Sequence, residues 1–590
     1  MSSLARILLF LALVFPVPAR ALEPTDFDVL DYSADLEIDV QGQAVLGAVT
    51  ITWTSLAGGL TSVELDAPGL TIESVSEKDM ALSHEARDGK LRVALDRPTV
   101  RDETRALTVR YSGKPARGMR FGAEQVFTAF HTAHWLVSKP DLFDKASLTL
   151  GLTLPAGLEV VANGKPVSKV TLGDGRVRHV WREERPYSTY VFGFAAGKFR
   201  EAERRAGPVR LRFLGPSFTP AELERIFANT EAALEFFQSK AGLPLPVETY
   251  TQVLLPGGPA QEMSGFSVMS DDYGRSVLGD PREDYLVAHE LAHQWWGNLI
   301  TCESWSEFWL NEGMVTFLTA AFKEFFWGRD EYDRERAIAR MRYQRALGEG
   351  AFRPLVYNGW TKPEDMSGPL TYSRGALVLH LLRMEIGERA FWEGLRTYTR
   401  AGAGGIGTTS DLRAAMELAA GRELGRFFSQ WVYGGPEDLV ARHREEPGAV
   451  VVEIEQRQAE PWLIPLTVAV ETAKERVSRR VTLSGRREVV RFTTDSPVLA
   501  VTIDPEGHLP RSVPHERPAA MLRYQLAHEP EIAGRIDALL ELGKLCGTEP
   551  AAPACGEAKA ALEESKTSDS SRLVRQLAAR TLESGSKPLR

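Results

Sequence analysis

The string His289-Glu290-Leu291-Ala292-His293, followed after eighteen intervening residues by Glu312, constrains this chain more than any other feature. Two imidazoles at i and i+4 lie on one face of a helix and can share a metal ion. The spacing requires a helix over the histidines and a second helix that carries Glu312 back against the first. Two histidines and one carboxylate leave a coordination position for water, the donor pattern of catalytic rather than structural zinc sites. Glu290, beside the first ligand, is placed to take a proton from that water. The pattern therefore predicts one zinc ion per chain, held by His289, His293 and Glu312, and a reaction as well as a metal. The plain alternative is a buried helix that carries these residues by chance. Three features weigh against it. Asp280-Pro281-Arg282-Glu283 reads as the N-cap, first-turn proline and capping glutamate of the first helix. Trp305, Trp309, Glu312 and Thr316 share one face of the second periodic segment. Burial of Glu290 and Glu312 without a cation would also be costly.

A chain of 590 residues exceeds a single core, and three or four domains are expected. Acids and bases are spread throughout, the net charge is −9, and no basic block points to nucleic acid. Arg6, the apolar run Ile7 to Val17 and the small-x-small triplet Ala19-Arg20-Ala21 read as a signal peptide over 1–21. The run is too short to span a membrane comfortably, and an uncleaved anchor is the alternative. No cysteine follows the cleavage site, so the mature protein is expected to begin near Leu22 and to be exported, periplasmic or extracellular, with no membrane span. Of three cysteines, Cys302 reads as core. Cys546 and Cys555 lie nine apart in a Gly/Pro/Ala-rich turn; in an oxidising compartment they form either a disulfide or two free thiols.

The hydrophobic period changes three times, which predicts a multidomain α+β chain. Over 22–200 it is β: Tyr32, Ala34, Leu36, Ile38 and Val40 alternate with polar residues, and Gly, Pro and Asp turns separate short strands. Over 201–437 helices dominate. One opens at the capping box Thr219-Pro220-Ala221-Glu222 and runs through Phe237; others run near Arg334–Leu347, over Tyr372–Ile386, and from Ser410-Asp411 to about Tyr433. A strand near Tyr250–Leu255 precedes the histidines. Over 438–512 the chain is β again, and 513–590 is a short Ala/Leu-rich helical segment.

The run from His289 through Gln294-Trp295-Trp296-Gly297-Asn298 to Phe308-Trp309-Leu310-Asn311-Glu312-Gly313 resembles the aminopeptidase N family of gluzincin metallopeptidases. Gly47-x-Val49-x-Ile51 and Phe427-Phe428-Ser429-Gln430-Trp431 support it. The resemblance implies an N-terminal β saddle, a thermolysin-like catalytic domain, a small β-sandwich and a C-terminal helical domain. Tyr372-Ser373-Arg374-Gly375 is similar to the family's Tyr-x-Lys-Gly, whose tyrosine donates to the tetrahedral oxyanion; a half-buried helix tyrosine is the alternative. Pro259-Ala260-Gln261-Glu262-Met263 corresponds to the family's substrate strand, Gly-x-Met-Glu-Asn. The resemblance implies that Glu262 binds the free α-amino group of a peptide, a charge-assisted bond that reads chain position rather than sequence. Gln261, in place of Met, is expected to make the first side-chain pocket more polar. His131, in Thr128-Ala129-Phe130-His131, stands where many relatives carry a second amine-binding acid; it either faces the amine or is a structural histidine. Val137-Ser138-Lys139-Pro140-Asp141 replaces the familiar Pro-Cys-x-Asp-Glu-Pro. Glu307 is expected to orient a ligand histidine, or to be a solvated carboxylate.

Three functions are therefore weighed. The first is an exported zinc aminopeptidase acting on peptides, with Glu290 and Tyr372 in the chemistry. The second is a zinc hydrolase of the same family turned to internal peptide bonds or a non-peptide substrate. The third is a non-catalytic binding protein, against which the retained Glu290 and Tyr372 argue, since a structural metal needs neither.

Overall fold

Alternation of apolar and polar residues lays down the first sheet. In the strand Phe27–Asp39, Val29, Tyr32, Ala34, Leu36 and Ile38 are buried while Asp35 and Glu37 are exposed. This strand pairs antiparallel with Ala44–Ser55 and parallel with Lys145–Leu154 inside an eight-stranded sheet. A four-stranded sheet, in the order Glu159–Ala162, Phe194–Gly197, Gln125–Thr128, Met119–Gly122, shares its core, which includes Trp53, Trp135 and Phe194. The structure is a computed structural model that describes residues 26–360, 363–548 and 553–584; the leader read at 1–21 lies outside them. The segment at Val137–Asp141 is a structural tie. Lys139 is buried, its ammonium donates to Phe27 O (2.8 Å) and pairs with Asp144, and its backbone N–H donates to Tyr32 Oη (3.0 Å).

The second region opens with a four-stranded sheet: Arg200–Ala206 antiparallel to Val209–Gly215, then Thr249–Leu255 and Phe266–Ser270 in parallel. Val253, Leu255 and Val268 of this sheet lie in the same apolar cluster as the N-terminal β core. Among the described residues, the helices of this region are α1 (Pro220–Ile226), α2 (Thr230–Ala241), α3 (Asp271–Gly279), α4 (Tyr285–Ala292), α5 (Trp309–Trp327), α6 (Arg329–Gly348), α7 (Tyr372–Ile386), α8 (Glu388–Gly402), α9 (Thr409–Ala420) and α10 (Gly425–Trp431).

Three helix expectations are corrected. The Thr219 capping box forms, but the helix breaks after Ile226. Phe227 turns inward to stack on Phe213 (4.9 Å between centroids), and Asn229 reaches Asp284. Asp280 and Pro281 open a separate three-residue turn, and α4 starts only at Tyr285. The segment expected to run from Ser410 to Tyr433 is two helices. Thr408 and Asp411 form the capping box of α9, and Gly421 ends it.

Two three-stranded sheets come next: Leu439–Glu446, Ala449–Gln456 and Arg487–Thr493, and Arg476–Leu483, Ile464–Thr472 and Val498–Ile503. The C-terminal helices α11 (Ala519–His528), α12 (Ile532–Thr548), α13 (Pro553–Ser568) and α14 (Arg572–Ser584) bury their own core against Ala337, Ile338 and Met341 of α6. Cys546 and Cys555 are bonded as a disulfide that staples α12 to α13. Among the described residues, no helix is long and apolar enough to cross a membrane.

Candidate active site

The start of α4 is fixed by charge. Asp284 accepts from Asn229 Nδ2 (2.8 Å) and Trp327 Nε1 (2.9 Å). Fully buried Lys323 lies 3.7 Å from it and donates to Arg282 O (2.7 Å) and Glu335 (2.8 Å). A buried ammonium held this way ties α4, α5 and α6 together, and removal of a partner would leave an uncompensated charge.

The end of α4 is fixed by a turn. Gly297 has φ +127°, and a Cβ there would lie 2.9 Å from His293 Nδ1. His293 Nδ1 meets Trp296 O at 3.0 Å. A carbonyl only accepts, so Nδ1 carries the proton and Nε2 presents its lone pair. His289 Nε2 and His293 Nε2 lie 3.2 Å apart, and Glu312 Oε2 lies 3.4 Å from each. All three side chains are buried.

These residues fit a metal ion. Glu312 Oε2 and Glu290 Oε2 are buried without a hydrogen-bond partner among the described residues. Burial holds His289 below its ordinary value, as a ligating imidazole requires. Burial works the same way on His293, but Glu312, Glu262 and Glu290 overcome it and draw the group up to about 10. Despite its own burial, Glu312 is held down at about 2 by the two imidazoles. Buried Glu312, held ionised, calls for a positive charge where two nitrogens and its oxygen converge. A divalent cation would supply it, and a donor set of two imidazoles and one carboxylate suits zinc.

Asn311-Glu312-Gly313 opens α5, and each residue has a task. Asn311 accepts from Cys302 N–H (3.1 Å) and donates to Tyr190 Oη (3.2 Å), and Tyr190 donates to Gly297 O (3.1 Å). Glu312 points at the imidazoles. Gly313 faces Gly375: a Cβ on Gly313 would lie 2.8 Å from Gly375 Cα. Two bare glycines let α7 lie directly on α5, which sets Tyr372, in the first turn of α7, beside the cluster. Its ring lies 6.3 Å from that of His289, with planes 14° apart. Burial, then the Glu312 charge, holds the Tyr372 phenol well above its ordinary value, so it remains a neutral donor.

Glu262 is buried, and its segment is clamped by the turn that follows α4. Asn298 donates to Glu262 O (3.2 Å), and Gln294 donates to Met263 O (3.0 Å) and accepts from Gly265 N–H (2.9 Å). Gln261 bridges Val268 through both backbone groups (3.0 and 3.1 Å), and partly exposed Ala260 precedes it. The Gln261 amide accepts from Phe130 N–H (2.6 Å) and donates to Tyr190 O (3.1 Å). Its polarity is engaged inside the protein rather than added to a pocket. The same bond brings the His131 loop to the segment that holds Glu262, which forms an isolated bridge at Gln261 rather than the expected strand. Phe130 (φ 52°) and His131 (φ 47°) are both left-handed, and the His131 ring meets that of His134 edge to face at 5.7 Å. Glu307 accepts the Thr409 N–H at the start of α9 instead of meeting a histidine. Gln294 and Asn298 were visible within the His-Gln-Trp-Trp-Gly-Asn run, although no task was assigned to them; Tyr190 carries no local sequence signal.

Residues 226–431 match the Peptidase family M1 domain. The chain is 23% identical over 482 residues to a probable aminopeptidase 1 of Sulfurisphaera tokodaii, a match that covers 75% of this chain and 58% of that protein. It is 28% identical over 332 residues to aminopeptidase N of Streptomyces lividans, covering 52% of this chain and 36% of that one. The region that carries the site is similar to the Peptidase family M1 domain. The chain spans little more than half, or less, of the length of these two relatives. Its fold is shared with Legionella pneumophila aminopeptidase A, solved in complex with aspartic acid, at TM-score 0.76 and 15% identity over 95% of this chain and 68% of that one.

The arginine of Tyr372-Ser373-Arg374-Gly375 is held by backbone carbonyls. Arg374 is fully buried and donates to Arg353 O (2.8 Å), Trp431 O (3.0 Å) and Gly434 O (3.2 Å). A fork of donors reaches carbonyls on two sides of the helix, which a single ammonium does less well.

Proposed function

We propose that this chain is a zinc-dependent aminopeptidase that hydrolyses N-terminal residues from peptides outside the cytoplasm. The observation that carries the reading is the convergence of His289 Nε2, His293 Nε2 and Glu312 Oε2, with unpartnered Glu290 and neutral Tyr372 beside them and buried Glu262 at one side. A bound zinc ion supplies a Lewis acid and lowers the pKa of a water to about 7. Burial raises the proton affinity of Glu290, which suits a group that takes a proton from the attacking water and delivers it to the leaving amine. Tyr372 donates to the oxygen on which negative charge develops. Glu262 holds the α-ammonium, so a blocked N-terminus has no partner for a buried carboxylate. Export is supported by the leader pattern at 1–21 and by the Cys546–Cys555 disulfide, a bond of oxidising compartments.

The test uses mature protein of verified zinc content on matched free and acetylated aminoacyl amides. Only the free-amine panel is expected to be cleaved, and Glu290→Gln is expected to keep its zinc while losing about 10²–10⁴ in rate. Equal cleavage of the acetylated panel, or internal fragments from longer peptides, would overturn the exopeptidase reading and favour the altered-substrate hydrolase.

A further inference from the structure

A cavity of about 330 Å³ lies between α5, α6 and α7, and Tyr372, Tyr285 and Thr316 form one of its walls. Its place relative to the metal ligands is defined by the two ends of α4. Glu262 is tied to the turn beyond the C-terminal end, through Gln294 and Asn298. Tyr285 sits one turn before His289, with their rings 5.2 Å apart, and Thr316 one turn beyond Glu312. The cavity therefore lies across the ligands from Glu262. It is also small, near the lower end of the roughly 300–1,000 Å³ of small-molecule sites.

Three charged residues line the cavity: Glu335, Arg336 and Arg342. Two are engaged. Glu335 accepts from Lys323 (2.8 Å) and Arg334 (2.9 Å). Arg336 donates to His380 Nε2 (2.6 Å) and Glu506 O (2.5 Å). Arg342 is exposed and makes no hydrogen bond or ion pair with any described residue. It follows Glu335 by seven positions, two turns along the same face of α6, so its guanidinium closes the far end of a wall otherwise carried by Ala339 and Ile338.

We infer that this cavity receives the part of the substrate that leaves, and that Arg342 binds a carboxylate on it. The favoured substrates are then short peptides with a free C-terminal carboxylate, or peptides with an acidic second residue. This rests on the aminopeptidase reading. Arg342 is a specificity residue: a guanidinium fork pairs with a carboxylate through two parallel bonds, whereas an amide offers it no charge.

The test is kcat/KM of the zinc-loaded full chain on dipeptides and their C-terminal amides, with the first residue taken from the best aminoacyl amide. A second arm compares amidated dipeptides with Glu or Gln in second place. The free acid is expected to exceed its amide by about tenfold, carried by KM, the size of one charge-assisted bond. Arg342→Met is expected to abolish that ratio and Arg342→Lys to keep part of it. Arg345→Met, one turn nearer Glu349, leaves it intact. The second arm tells a C-terminal carboxylate from an acidic side chain. An equal ratio in the wild type and Arg342→Met overturns the inference. Cleavage of an aminoacyl anilide, whose leaving group carries no charge, alongside that result leaves the aminopeptidase reading standing, and failure to cleave any substrate overturns both.

Discussion

Burial holds the Tyr372 phenol in its protonated form. The Glu312, Glu262 and Glu290 charges act in the same direction, against phenolate, which keeps the hydroxyl a donor. Its place beside the metal ligands, rather than among them, separates two effects that other substitutions would mix. Tyr372→Phe removes one oxygen and leaves ring, helix and ligands in place. We expect kcat to fall by about 10²–10³, as for loss of one oxyanion donor. KM and zinc content should be unchanged. Steady-state kinetics with metal analysis checks this, and an unaltered kcat would remove Tyr372 from the chemistry and return it to packing.

The phenol is only as well placed as the helix that carries it. Gly313 and Gly375 touch because neither has a side chain, and the contact explains why both the glutamate-ligand motif and the tyrosine motif end in glycine. Gly375→Ala adds a methyl 2.8 Å from Gly313 Cα. Alanine improves helix propensity by about 0.5–1 kcal/mol, but overpacking at a close contact costs about 1–3 kcal/mol. We expect a modest loss of stability and a fall in kcat of at least about tenfold, since small misplacements of a catalytic group are expensive. Combined with Tyr372→Phe, the kinetic effects should not add, because both act through one hydroxyl; additive losses would show that the contact matters elsewhere. At this scale the limits of the sequence are also visible. The alternation in Phe27–Asp39 and the spacing of His289, His293 and Glu312 were legible because strands and helices repeat locally. The break after Ile226 was not, because it is made by Phe213 and Asp284, far away in the chain. The engagement of Gln261 by Phe130 and Tyr190, and the exposure of Arg342 without a hydrogen bond to any described residue, are likewise properties of packing.

The helical region and the β layers that follow are joined through a buried charge. Arg374 gathers the carbonyls at the end of α10, and Glu437, a few residues beyond, accepts Arg511 N–H (3.1 Å) while its own carbonyl accepts from Arg511 Nη1 (3.1 Å). Burial dominates the Glu437 carboxyl and pushes it up to about 7, although Arg374 and Arg511 oppose this. The sign of the consequence follows from proton counting. Between the unfolded value of about 4.5 and 7, the folded chain binds more protons at this site than the unfolded chain does, so stability falls as pH rises through that window and levels off above it. Asp504, raised to about 6 by burial, acts in the same direction over a lower window. Glu437→Gln keeps the acceptor for Arg511 N–H and removes the charge. Thermal unfolding of the zinc-loaded protein is expected to show the variant more stable than wild type at pH 8, by up to about 3 kcal/mol. That margin should shrink toward zero near pH 5, where the wild-type carboxyl is already protonated. A difference that does not change with pH would mean that Glu437 stays ionised in the folded state, with Arg374 and Arg511 rather than burial deciding its charge.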